Sequence, residues 1–102
     1  MRVVLARSAA DYIRKEAAYL CGHSRSAGEA FIVRVQTVRR DLTAFAEAGE
    51  ILPGPNVRRL IRVGYRFDYR IGSGVVEIVA VSSSVNTPLD MPSDDPDFDY
   101  EA

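Results

Sequence analysis

The residues best suited to chemistry lie between positions 58 and 70, where Arg58, Arg59, Arg62, Arg66 and Arg70 surround one carboxylate, Asp68. A guanidinium binds phosphate or carboxylate with a planar fork and keeps its charge near neutral pH. It can hold an anion or stabilise developing negative charge, but it accepts no proton. A general base would have to come from elsewhere, and the chain offers little. Its one histidine, His23, falls in the Gly-His-Ser stretch at 22–24, well before the arginines. Ser82, Ser83 and Ser84 are weak nucleophiles without an activating base. Cys21, the single cysteine, cannot form an internal disulfide, and beside Leu20 it reads as a small buried hydrophobe. No His, Cys or carboxylate spacing matches a metal site, and Gly72-Ser73-Gly74 is too short to cradle a nucleotide. The expectation is no catalytic set, no metal and no cofactor.

These arginines sit on short β-type runs that a pair of helices must support. Val3–Ala6 is a β-branched apolar run that reads as a buried strand. Ser8 with Asp11 resembles a capping box, and Ile13, Ala17, Leu20 and Cys21 recur at helical spacing until Gly22. This predicts a first helix over 9–21. Ser26 with Glu29 starts a second, whose stripe of Ala27, Phe31, Val35, Val38, Leu42 and Phe45 runs toward a stop at Gly49. A connection of about four residues makes the two an antiparallel hairpin. The breaker Ile-Leu-Pro-Gly-Pro-Asn (51–56) follows, then strands over 57–63, 65–71 and 75–83, the last two joined by the turn at 72–74. In Tyr-Arg-Phe-Asp-Tyr-Arg-Ile (65–71), alternation places Tyr65, Phe67, Tyr69 and Ile71 on one face and Arg66, Asp68 and Arg70 on the other. The order β-α-α-β-β-β predicts an α+β fold with the helix hairpin packed on one face of a small, mainly antiparallel sheet.

The charge divides unevenly along the chain. Residues 1–88 carry 13 bases, 12 of them Arg, against eight acids, a net +5; residues 89–102 carry six acids and no base. A basic body suits an acidic partner, whether nucleic acid or an acidic protein segment. Composition therefore divides the chain into a folded domain, 1–88, and an acidic tail, 89–102, that lacks periodicity and reads as disordered. The tail could stay solvated, fold back on the arginine-rich face through Phe98 and Tyr100, or imitate nucleic-acid charge. The N-terminus lacks a secretory pattern and no apolar run is long enough to span a bilayer. With one cysteine, a cytoplasmic location is expected.

Over residues 2–87, this order of elements and the strand Tyr65–Ile71 resemble the ParE/RelE superfamily of bacterial toxin–antitoxin toxins. The resemblance implies a type II toxin neutralised by a cognate ParD-like antitoxin in a hetero-oligomer, of the kind associated with plasmid stabilization. RelE-like members cleave mRNA on the ribosome, and Arg66 matches their strand arginine. Such nucleases commonly carry His or Arg where this chain has Ser82–Ser84, so the chain is more similar to the ParE branch. That branch implies inhibition of DNA gyrase rather than enzymatic chemistry, with Arg58, Arg62, Arg66 and Arg70 receiving antitoxin or target. No membrane or small-molecule ligand is implied. The alternatives are a ribosome-dependent endoribonuclease using Arg66, or a non-toxic binding module that kept the fold.

Overall fold

Each apolar run finds a partner surface in the computed structural model, which describes residues 1–84. The acidic segment 89–102, and the domain boundary expected at residue 88, lie outside the described residues. Strand β1 (Arg2–Leu5) is followed by helices α1 (Arg7–His23) and α2 (Arg25–Ala44), then β2 (Glu50–Ile51), β3 (Val57–Arg62), β4 (Tyr65–Ile71) and β5 (Val75–Ser83). One sheet contains all five strands in the order β1-β5-β4-β3-β2. β1 runs parallel to β5, and every other pair is antiparallel. The expected α+β arrangement is present, with one strand more than periodicity suggests. β2 has only two residues, both exposed, and so shows no alternation.

Phe31, Val35, Val38 and Leu42 on α2 are buried with Phe67 and Tyr69 of β4 and Val76, Ile78 and Val81 of β5. Burying each such side chain contributes roughly 1.5–3 kcal/mol, so this layer contact is a large source of stability. Ile78 and Val81 could not both face the core in a regular strand. The register of β4 on β5 shifts between Asp68 and Tyr69, leaving Val79 as an extra residue. That bulge reverses the alternation, and the Val79 carbonyl accepts a hydrogen bond from Ser8 Oγ at 2.8 Å. Among the described residues no helix is long and apolar enough to cross a membrane.

The helix boundaries correct several sequence expectations. Ser8 is spent on the bulge, so α1 starts from Ala6 without a side-chain cap, and Asp11 pairs with Arg14. Gly22 does not stop α1, which continues to His23. A single residue, Ser24, then joins the helices in place of a four-residue connection. Its N–H bonds the Leu20 carbonyl and its Oγ accepts from Ala27 N at 3.3 Å, so one serine closes α1 and caps α2. Glu29 pairs with Arg25 at 3.1 Å instead of completing a box with Ser26.

Gly28 of α2 is buried against α1; a Cβ there would collide with Cys21 Sγ and lie 3.2 Å from the Ala17 carbonyl oxygen. Cys21, expected to be buried, is exposed at the rim of this contact. α2 stops at Ala44, before Gly49, and Phe45 leaves the stripe with 70% of its surface exposed. Arg39 Nη2 donates to the Val3 carbonyl at 3.1 Å, tying α2 to β1.

Val63, expected to end a strand, instead forms a two-residue turn with Gly64 between β3 and β4. Both have positive φ, +49° and +85°. That combination fits the type I′ turns of hairpins and suits Asn-Gly far better than a β-branched residue. Left-handed backbone costs a non-glycine residue roughly 1–2 kcal/mol, and Val63 is 60% exposed, so little burial offsets it. Val63→Asn is therefore expected to raise stability by about 1 kcal/mol. A urea midpoint equal to or below that of the parent chain would show the turn is not strained.

Candidate functional site

The Val63–Gly64 turn sets the register that sorts the arginines. It aligns Arg62 with Tyr65, Leu60 with Phe67 and Arg58 with Tyr69. Leu60, Phe67 and Tyr69 are buried beneath the helices, so Arg58 and Arg62 belong to the helix-covered side of β3. Arg59, opposite Asp68, and Ile61, opposite Arg66, belong to the outer side. The four expected binding residues therefore do not share a face. Arg66 and Arg70 point outward from β4, while Arg58 and Arg62 start from the inner face.

Arg58 is engaged locally, with Nη1 donating to the carbonyls of Gly49 at 3.0 Å and Glu47 at 3.3 Å. Those bonds brace the loop that follows α2. Arg62 Nη1 donates to the Ile61 carbonyl at 3.1 Å, at the exposed end of β3.

The outer face has Arg59, which the expected binding set of Arg58, Arg62, Arg66 and Arg70 left out, at its centre. Its Nε and Nη2 donate to Asp68 Oδ1 and Oδ2 at 2.7 and 3.0 Å, a side-on bidentate pair. That hydrogen bond raises the Arg59 pKa further, against a smaller desolvation by burial. Arg66 lies one pair along, its Nε 3.3 Å from Ser82 Oγ and its Nη2 3.0 Å from the Ser83 carbonyl oxygen. Arg70 Nη2 meets Glu77 Oε1 at 3.0 Å in a solvent-exposed pair. Ile61, 52% exposed, and the exposed Ala80 lie among them. Both helices pack on the opposite side, since α1 supplies Glu16 and α2 supplies Phe31 to the inward-facing Tyr65.

Such a face can grip carboxylates or phosphates through several forked donors beside a small apolar surface. Each exposed pair contributes only about 0–1 kcal/mol to folding. His23, expected in a surface turn, is the exposed last residue of α1, its ring edge-on to Tyr19 with centroids 4.6 Å apart.

Sequence reasoning also missed one polar contact, because 49 residues separate its partners. Tyr65 OH donates to Glu16 Oε2 at 2.6 Å. Burial, and then the Glu16 carboxylate, push the Tyr65 pKa well above the ordinary tyrosine value, so this hydroxyl keeps its proton. The contact links α1 to the start of β4, and Phe31 packs on the same ring with centroids 4.9 Å apart. Among the described residues no cluster of His, Cys, Asp and Glu could hold a metal ion.

This architecture has relatives among known proteins. A solved structure of the chromosomal ParDE TA system from P. aeruginosa is similar with a TM-score of 0.57 and 19% sequence identity. The match covers 81% of this chain and 95% of that one, and at this identity it bears on the fold. No curated protein sequence matches the chain. The family model described as the ParE toxin of the type II toxin-antitoxin system, parDE, matches residues 3–87, which takes in both helices and, among the described strands, all but Arg2 at the start of β1. The chain belongs to the ParE toxin family of type II toxin–antitoxin systems.

Proposed function

We propose that this chain is a toxin held inactive in a hetero-oligomer by a cognate ParD-like antitoxin, acts in the cytoplasm, and inhibits DNA gyrase. Family membership supports the toxin class. The observation that favours inhibition over RNA cleavage is the setting of Arg66, which is bonded to Ser82 Oγ and the Ser83 carbonyl. A guanidinium and a serine hydroxyl can hold an anionic group, but neither removes a proton from a 2′-hydroxyl near neutral pH. The outer face with Arg59, Arg66 and Arg70 is then a binding surface for carboxylates of the antitoxin or of the target. Arg58 supports the loop after α2 and Arg62 flanks the face from the strand end.

The test is to assay the purified toxin for inhibition of gyrase supercoiling and for ribosome-dependent cleavage of mRNA. Gyrase inhibition relieved by the antitoxin is expected; cleavage without inhibition overturns the proposal. Within the same assay Arg70→Ala separates binding from folding, because the Arg70–Glu77 pair is exposed. Loss of one charge-assisted hydrogen bond, roughly 1.5 kcal/mol, should weaken antitoxin affinity by about tenfold. An unchanged Kd would remove Arg70 from the interface.

A further inference from the structure

Ser84, the last described residue, donates its backbone N–H to the Gly64 carbonyl at 2.7 Å. The chain therefore leaves the sheet beside the β3–β4 turn, at the end of the outer face that holds Ile61, Arg66 and Ser82. Eighteen residues follow, beginning with five uncharged ones, 85–89, and then Asp90, Asp94, Asp95, Asp97, Asp99 and Glu101. Five residues reach about 17 Å when extended, at roughly 3.3–3.6 Å each. Arg66 and Arg70 are four strand steps apart, about 13 Å. A run of acids starting at Asp90 is thus long enough, and tethered closely enough, to pass over every guanidinium of this face.

Charge and surface chemistry agree with that reach. Residues 1–84 hold 13 bases and eight acids, while 85–102 hold six acids and no base. Arg59 uses two of its donors on Asp68 and Arg70 one on Glu77, so both guanidiniums keep N–H groups for a further carboxylate. Ile61 and Ala80 lie exposed among them, and the terminal segment carries Leu89, Met91, Phe98 and Tyr100 between its acids.

We infer that residues 89–102 dock on the outer face of the sheet as a built-in anionic occupant. A short tether gives the segment an effective concentration in the millimolar range, so individually weak contacts suffice. The occupant competes with any acidic partner for Arg59, Arg66 and Arg70. The competition rests on the function proposed above; the docking itself does not.

The test uses the full chain with its six terminal acids changed to amides, D90N, D94N, D95N, D97N, D99N and E101Q. Backbone and arginine Nε–H NMR shifts are compared with the parent chain in salt of about 10 mM and about 1 M, where the screening length falls from roughly 30 Å to 3 Å. At low salt, differences should concentrate at Arg59, Ile61, Arg66, Arg70 and Ala80, and they should vanish at high salt. No differences within residues 1–84, or differences on α1 and α2, overturn the docking. The same variant should bind the antitoxin about tenfold more tightly at low salt, the gain expected when an occupant that leaves the face open roughly one-tenth of the time is removed. If the shifts map to the sheet while antitoxin affinity stays constant, the docking stands and the antitoxin does not use this face.

Discussion

Gly49→Ala is expected to be one of the two most damaging conservative changes in the described part of the protein, with a loss of about 3 kcal/mol, the upper part of the range for overpacking a core. Gly49 is buried in the loop between α2 and β2. A Cβ there would lie 2.7 Å from the Arg59 carbonyl oxygen, 2.9 Å from the Arg59 carbonyl carbon and 2.8 Å from the Tyr69 hydroxyl. Two of those three atoms are backbone of β3 and cannot rotate away. Relief requires the loop to lift off the sheet, which would break the bonds from Arg58 to the Gly49 and Glu47 carbonyls. A domain this size loses roughly 4–8 °C of Tm per kcal/mol, so the variant should melt more than about 12 °C lower. A Tm within a few degrees of the parent would show that the loop carries no such constraint.

Tyr69→Phe removes one oxygen and is expected to cost on the order of 2–6 kcal/mol, because two backbone groups lose their partner and each orphan costs roughly 1–3 kcal/mol. Tyr69 has no exposed surface. Its hydroxyl donates to the Ala46 carbonyl at 2.7 Å and accepts from Gly49 N at 2.9 Å, so it acts as the middle of a chain from one side of the loop to the other. Tyr65→Phe is the control: that ring is only half-buried and its hydroxyl meets a side chain, Glu16, that water can reach. Urea unfolding of both variants measures the contrast, and equal losses would sink the argument. Since Gly49→Ala collides with β3 backbone whether or not the hydroxyl is present, the Gly49→Ala/Tyr69→Phe pair should not rescue either change. Its total loss should fall short of the sum, because both act on one loop.

Much of the architecture was legible because its signals are local. The strand Tyr65–Ile71 has the bounds that alternation gives it, and the stripe Phe31, Val35, Val38 and Leu42 is buried as helical spacing requires. What failed were choices that local patterns leave open. Ser8 could cap a helix or serve a distant carbonyl, and only the bulge at Val79 decides.

The arginine face failed for a more instructive reason. In Val57–Val63 the apolar residues Val57, Ile61 and Val63 share one parity and Leu60 stands alone on the other. Counting favours the trio as the inner set with Arg59, yet Leu60 is the buried one. The turn settles it: two residues at positive φ lock Arg62 opposite Tyr65, and the aromatic face of β4 then carries Leu60 inward. A one-residue change of register would exchange every arginine on β3 between the two faces. Treating Val63-Gly64 as a turn despite its β-branched first residue would have placed Arg59 beside Asp68 from sequence alone.

The parallel pairing of β1 with β5 has a consequence for the newly made chain. Arg2 aligns with Val75 and Leu5 with Ile78, so the first strand waits for the last. β5 also lies between β1 and β4, and until it emerges from the ribosome the sheet exists as two unjoined parts. Such long-range closure is slow compared with the helix hairpin and the β3–β4 hairpin, which can form as they are synthesised. A product cut short before Val75 would leave β1 and β4 each with an unpaired edge and the inner ends of Phe67 and Tyr69 without their neighbours Val81 and Ile78. Assembly is therefore withheld until β5 has been translated, and a chain cut short before it should be cleared as misfolded protein before it can present an ordered arginine face.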